Sequence, residues 1–319
     1  MIVNKLDLKD KKILYQLDIN ARQSNSEIAK KVGLSKDVVN YRIKKLENQD
    51  YIKGYYTLLD FSRIGYFLVR VYIKLLDCTP EKEKEILDFL IKKNTLFVAR
   101  VDGAVDIATG FLVKDIWEFE NIYLDFKKHF KPYLGKEEMA VFTQSHQFHR
   151  AYILNKKYDE VTPEYSGREK VVLHDELDLK ILKLIAKNSR VPIIELSKKL
   201  KTPPRTIAFR IKQLEKKKII QGYRFIFNFG LFGYKYYKID LILKDISRRK
   251  ELFQYAHQHP NIMYIDETIG GSDFEFDIEV ENEQAFLKLM NDLRARFLEI
   301  RSWKYFTLRG YHKLLYFPE

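Results

Sequence analysis

Lys36, Asp37, Asn40, Tyr41 and Lys44 fall at spacings i, i+1, i+4, i+5 and i+8, which places them on one face of a helix whose other face carries Val39, Ile43 and Leu46. A carboxamide at Asn40 offers the donor and acceptor that match an adenine edge, and the ammonium groups of Lys36 and Lys44 match guanine acceptors or phosphate oxygens. The same face recurs further along as Pro204, Arg205, Ala208, Phe209 and Lys212. There Arg205 suits guanine, and Phe209 suits contact with a thymine methyl. Lys217 sits in the run Lys216-Lys217-Lys218 at that helix's end, where a backbone phosphate would lie. Two solvated lysine-rich surface helices are the plain alternative. A turn pattern beside these residues favours the nucleic-acid reading, and the candidate set is Lys36, Asn40, Tyr41, Lys44, Arg205, Phe209, Lys212 and Lys217.

Other side-chain chemistry finds little support. His146 and His149, and His257 and His259, form close pairs with no third ligand nearby in sequence, so they read as surface or packing residues rather than metal ligands. Gly270-Gly271 lacks a following Gly-Lys-Ser/Thr and is no phosphate loop. No Ser-His-Asp or Cys-His arrangement has a supporting context. The single cysteine, Cys78, excludes an intramolecular disulfide and a Cys-based zinc cluster, and reads as inert. No cofactor, resident metal or catalytic residue is expected, and the chain does not read as an enzyme.

The elements that must hold the two helices come from a repeat. At an offset of 168, Asp10–Tyr66 aligns with Asp178–Tyr234 without a gap, and 20 of the 57 positions are identical, among them Arg22/Arg190, Arg42/Arg210, Glu47/Glu215 and Gly54/Gly222. Two copies of one unit of about 150 residues follow, a size typical of one or two small domains. Arg42/Arg210 and Glu47/Glu215 recur in both copies, which fits ion pairs within each helical domain as well as any contact with a ligand. In the first unit, apolar spacing predicts helices over Asp10–Asn20, Ser26–Val32 and Lys36–Gln49, with Gly33 as a left-handed cap and Ser35 as an N-cap. An aromatic, β-prone ribbon follows at Tyr51–Leu58 and is expected to form a hairpin. Three short helices and a hairpin describe a winged helix-turn-helix. In the second unit Lys201 and Pro203 replace Gly33 and Ser35, with Thr202 expected as the N-cap and Pro203 at the first helical position.

The rest of each unit reads β-α-β-β-α-β. The segments are Phe67–Leu76, Glu81–Lys93, Leu96–Val101, Val105–Val113, Asp115–Phe130 and Lys136–Gln144, then Lys235–Leu243, Arg248–Gln258, Ile262–Ile269, Asp273–Val280, Glu283–Leu298 and Ser302–Leu308. This is a ferredoxin-like sheet with one open face, which two copies in one chain can cover for each other. The fold class is therefore α+β, with boundaries at 1–60 and 61–154, a polar linker at 155–173 containing Pro163 and Gly167, then 174–228 and 229–319.

Charge and composition fit this organisation. The net charge is +13 over 319 residues, yet Asn20–Tyr56 carries +4 and Lys187–Arg224 carries +10, leaving −1 for everything else. Two basic segments on a neutral body suit two contacts with a polyanion. At 46% hydrophobic and 32% charged the chain has a core-forming balance, which excludes bulk disorder. The longest run free of Asp, Glu, Lys and Arg is Leu252–Ile265, too short and polar to cross a bilayer, and the first residues turn charged at once, so a soluble, cytoplasmic protein is expected.

Each unit resembles a feast/famine regulator of the Lrp/AsnC family. The resemblance rests on Asp10–Leu14, Glu27–Ser35, Val39–Glu47 and Ile52–Tyr55, and on the loops Gly103-Ala104-Val105-Asp106 and Gly270-Gly271-Ser272-Asp273, which resemble the family's Gly-x-x-Asp turn. It implies a winged helix-turn-helix followed by a ferredoxin-like, RAM-type effector domain in each unit. One chain would then be an intramolecular pseudo-dimer, able to pair further, presenting two unequal recognition helices to double-stranded DNA about one helical turn apart, roughly 34–36 Å. It also implies a small effector such as an amino acid near Gly103, Asp106, Gly270 and Asp273, although a turn that needs glycine for its backbone explains those residues equally. Two rivals remain: a sirohaem-decarboxylase-like enzyme on the same architecture, and a low-specificity architectural DNA-binding protein.

Overall fold

A computed structural model of the chain describes residues 6–157, 164–314 and 317; Pro163 of the expected linker lies outside them. The first unit begins with α1 (Leu8–Ile19), α2 (Asn25–Val32), α3 (Lys36–Asn48) and β1 (Ile52–Leu59). After the middle of the chain, α6 (Glu176–Lys187), α7 (Ile193–Leu200), α8 (Pro204–Lys216) and β7 (Ile220–Phe227) repeat the pattern. Ile13, Leu14, Leu17, Val39, Ile43 and Leu46 are buried, as their spacing requires, and their counterparts Ile181, Leu182, Ile185, Ile207, Ile211 and Leu214 join them in one continuous core.

The expected wing hairpin does not form. β1 and β7 are each a single strand, and they pair antiparallel with each other across the two units, Tyr55 opposite Phe225 and Thr57 opposite Tyr223. A reciprocal clasp holds the junction. Arg22 donates to the carbonyl of Ser189 and lies over the Tyr223 ring, while Arg190 donates to the carbonyl of Ala21 at 2.7 Å and lies over Tyr55. Tyr55 and Tyr223 in turn donate to Glu47 and Glu215 at 2.6 Å each. The recurrence of Arg22/Arg190 and Glu47/Glu215 in the repeat is therefore the clasp that joins the units.

The remaining elements are β2 (Phe67–Leu75), α4 (Pro80–Ile91), β3 (Thr95–Gly103), β4 (Ile107–Val113), α5 (Ile116–Phe130) and β5 (Leu134–Gln147), then β8 (Lys235–Leu243), α9 (Arg249–Gln258), β9 (Ile262–Ile269), β10 (Phe274–Val280), α10 (Glu283–Arg296) and β11 (Ile300–Leu314). Within the stretch read as a linker, β6 (Glu164–Gly167) pairs with β5. The two ferredoxin-like sheets do not stack face to face. They join edge to edge, β3 with β11 and β5 with β9, and because β5 also pairs with β2 the ring of eight strands closes. Closure removes both open edges and encloses the inner face as a barrel lumen. Outward residues pack on the helices in two separate cores, one around Val69, Val71 and Phe111 and one around Ile239, Phe276 and Phe286.

Candidate nucleic-acid interface and barrel cavity

Local sequence explains how the two candidate helices are held. In the first unit Ser24 and Glu27 form a capping box for α2, Gly33 ends that helix in the left-handed region, and Ser35 caps α3. In the second unit Pro203 itself takes the N-cap position of α8, with no side-chain cap and Pro204 following it. The Thr202 hydroxyl instead donates to the carbonyl of Leu200 at 3.0 Å, so the expected threonine cap is not made. Lys201 adopts φ +50°, the conformation Gly33 supplies freely in the first unit. Arg42 bridges Asp7 and Asp10, and Arg210 bridges Asp175 and Asp178, fixing α3 and α8 against the first helix of each unit.

Lys36, Asn40, Tyr41 and Lys44 on α3 and Arg205, Phe209 and Lys212 on α8 are all exposed. Tyr41 and Phe209 occupy equivalent positions and are 68% and 58% exposed. The Asn25 side-chain amide donates to the Asn40 Oδ1 atom at 3.2 Å, which orients the Asn40 amide. Lys217 stands apart, half-buried and donating to the carbonyl of Leu173 at 2.7 Å. The basic segments are also less free than their totals suggest. Arg22 and Arg190 form the clasp, Arg42 and Arg210 are paired, and Arg224 is fully buried.

The four residues proposed for an effector lie at the seams of the barrel. Asp106 accepts from the Leu75 N–H at 2.7 Å and from Lys74, and Asp273 accepts from the Leu243 N–H at 2.8 Å. Gly103 has φ +133°, and a Cβ there would stand 2.8 Å from the carbonyl oxygen of Tyr305; at Gly270, with φ +84°, it would stand 2.9 Å from that of Met139. Each Gly-x-x-Asp loop thus lets one unit's turn press against the other unit's strand. The crevice beside Gly270 holds only about 10 Å³, room for about one water and not for an amino acid.

The large cavity, about 570 Å³, is instead the barrel lumen, roofed by β1 and β7. Its walls carry buried charges that sequence reasoning missed. Arg70 forms a bidentate pair with Glu275 at 2.5 and 2.9 Å. Lys238 lies 2.6 Å from Asp266, 3.0 Å from Asp277 and 3.4 Å from Glu275. Arg150 spans Glu279 and Asp18 at 2.9 Å each, and Asp18 also pairs with Arg224 at 3.3 Å. Burial raises the Asp240 carboxyl to about 6 with Glu275 adding to the effect, and it raises Asp277 to about 6 against the pull of Lys238. Burial acts the same way on Glu275, but Lys238 and Arg70 override it and hold that group at about 2. The signal for these groups was the period of two in Phe274-Glu275-Phe276-Asp277-Ile278-Glu279-Val280, which a single sheet would turn to solvent.

His146 stacks edge-on against Phe253 and His257 against Phe148. Among the described residues no group of three His, Cys, Asp or Glu could hold a metal ion, and no helix is long and apolar enough to cross a membrane.

A family model described as winged helix-turn-helix DNA-binding matches residues 6–53 and 174–221. An HTH-type transcriptional regulator of Pyrococcus furiosus is 35% identical over 121 residues, covering 38% of this chain and 80% of the relative. The chain belongs to the Lrp/AsnC family of winged helix-turn-helix regulators. Another relative, the proline dehydrogenase transcriptional activator of Rhodobacter capsulatus, is 34% identical over 123 residues, 37% of this Lrp/AsnC chain and 77% of the relative. Over its whole length the tandem Lrp/AsnC fold resembles the siroheme decarboxylase NirDL, with a TM-score of 0.65 at 11% identity, covering 97% of this chain and 94% of that one.

Proposed function

We propose that the chain is a sequence-specific DNA-binding regulator that acts as an intramolecular pseudo-dimer, seats α3 and α8 in adjacent major grooves, and responds to a small metabolite. The observation that carries this reading is the pairing of β1 with β7, which makes one body of two helix-turn-helix domains whose second-position faces are exposed and basic. A rigid pair has a fixed half-site spacing. Lys36, Asn40, Tyr41 and Lys44 read one half-site, and Arg205, Phe209 and Lys212 read the other. Because the two faces share only the lysine at Lys44/Lys212, the operator is two unequal half-sites and not a palindrome. Lys217 takes the lesser role of a backbone contact, made only if it leaves Leu173.

The test is affinity for genomic fragments against random DNA across a salt series, followed by footprinting. A slope of about −0.9 per neutralised phosphate and a footprint with two unequal halves are expected. Absence of DNA binding at low salt would refute the reading. The NirDL likeness keeps an enzymatic alternative in view, and that protein has also been seen in complex with an iron-uroporphyrin III analogue. In this chain Arg70, Arg150, Arg168 and Lys238, the basic groups lining the lumen, are already paired with carboxylates, a poor match to a polycarboxylate tetrapyrrole. An absorption band of bound tetrapyrrole after purification would favour the enzyme instead.

A further inference from the structure

The lumen is not symmetric. Aligned on the two Gly-x-x-Asp loops, the inward row Glu275, Asp277 and Glu279 of β10 corresponds to Ala108, Gly110 and Leu112 of β4. Asp18 and Arg224, which join the lumen to the helix-turn-helix pair, correspond to Ala186 and Tyr56. A dimer of identical units would carry each charged group twice. This chain carries the acidic row once, on one side of the lumen, keeps the basic position on both sides as Arg70 and Lys238, and faces the acids with small and apolar side chains such as Ala99, Val101 and Phe306.

The charges also do not balance. Among the buried groups in and behind the lumen wall, Asp18, Asp240, Asp266, Glu275, Asp277 and Glu279 outnumber Arg70, Arg150, Arg224 and Lys238; the half-buried Lys304 lies 3.8 Å from Asp240, and the exposed rim adds Arg168 and Glu169, one of each sign. Arg70, Arg150, Arg168 and Lys238 on the wall are already paired, and Lys238 alone serves Asp266, Asp277 and Glu275, at 2.6, 3.0 and 3.4 Å. In a cavity of low dielectric this excess repels an anion and attracts a cation strongly. A volume of about 570 Å³ suits one small organic molecule.

We propose that the lumen is the effector site and takes one amphipathic organic cation, an apolar or aromatic body bearing a single protonated amine directed at the Asp277 side, with the body against the Ala99–Val101 wall. It deepens the regulatory reading and rests on it only for the coupling to DNA. That coupling runs through Arg150, which lines the lumen and also bonds Asp18 of α1, itself bonded to Arg224 of β7. An occupant that moves Arg150 therefore acts on both helix-turn-helix domains. Asp277 faces Tyr236 and Lys238 on β8, Asp266 and Tyr264 on β9 and Tyr311 on β11. A bound cation keeps Asp277 ionised, so affinity falls as the pH drops below about 6.

The test is calorimetric titration of the full chain at neutral pH with three probes of one shape: phenylbutylamine, phenylbutanol and phenylbutanoate. The amine is expected to bind once per chain, at least about tenfold tighter than the alcohol and tighter still than the acid. Asp277→Asn should cost the amine about tenfold and leave the alcohol unchanged. Equal or tighter binding of phenylbutanoate, or no binding of any probe, overturns the proposal, and both results come from the unaltered protein. DNA affinity with and without the amine is read separately. If the amine binds and no DNA does, the lumen assignment stands and the regulatory reading falls.

Discussion

Replacing Asp18 by alanine should be among the most damaging single changes in the molecule. Its side chain is fully buried and accepts from the Arg150 backbone N–H at 2.6 Å, from the Arg150 guanidinium at 2.9 Å and from Arg224 at 3.3 Å. Arg150 keeps Glu279 when Asp18 is lost, and Arg224 keeps the carbonyls of Gln147 and Phe148 among its partners. Breaking a buried ion pair by removing its carboxylate costs about 3–5 kcal/mol. With a urea m-value of roughly 3 kcal/mol/M, the unfolding midpoint falls by about 1 M or more. The double variant Asp18→Ala with Arg224→Tyr copies the Ala186 and Tyr56 pair of the opposite side, and it should recover at least about 1 kcal/mol of the loss, a coupling within the usual range for contacting residues. Burial raises the Asp18 pKa, but Arg224 and Arg150 outweigh it and hold the group below the usual carboxylate range. A depressed pKa contributes stability above the unfolded value near 4 that is lost as the pH falls through the folded value. Asp18→Ala should therefore also flatten the acid limb of stability against pH. Equilibrium urea unfolding followed by circular dichroism tests all three. A cost below about 1 kcal/mol, or strictly additive single changes, would refute the reasoning.

Other outcomes follow from the same geometry. Lys201→Gly relieves a left-handed residue at the end of α7 and should raise stability by about 0.5–1 kcal/mol in thermal or urea unfolding. Gly103→Ala or Gly270→Ala drives a Cβ toward a carbonyl of the other unit and should cost about 2 kcal/mol or more by the same measurement. Arg205→Ala should relax base preference at one half-site, and Lys44→Ala should weaken binding to all sequences alike and flatten the salt slope by about 1, both read by competition footprinting.

Much of this was visible in the residues. The spacing of Val39, Ile43 and Leu46, the Ser35 cap and the Gly33 turn are local signals, and local signals specify helices. The β-α-β-β-α-β order was legible for the same reason. Which strand edge meets which was not. Tyr55 pairs with Phe225 and Gly103 with Phe306, partners about 170 to 200 residues away for which no neighbouring residue gives a cue. The candidate surface of α3 and α8 was therefore found from sequence, and the lumen was not. Without closure of the ring, Glu275, Asp277 and Glu279 look like the wet face of a strand, and Asp18 looks like an ordinary polar position on a helix.

That closed ring also says what duplication made possible. In a homodimer, any charge placed in the lumen is placed twice, so an acidic row would face its own copy. Fusion lets one strand become acidic while its counterpart shrinks to Ala108 and Gly110. The second unit alone buries five lumen carboxylates, Asp240, Asp266, Glu275, Asp277 and Glu279, against Lys238 and Arg224. A homodimer of residues 168–319 would double that excess without Arg70 or Arg150, and desolvating several unpaired carboxylates costs several kcal/mol each. Expressed as separate chains, the two units should therefore form a one-to-one heterodimer. The second unit alone should stay monomeric or aggregate at neutral pH, as read by light scattering after size exclusion. A well-folded homodimer of the second unit at neutral pH would mean that its lumen tolerates the doubled charge, and that the asymmetry arose for some reason other than electrostatics.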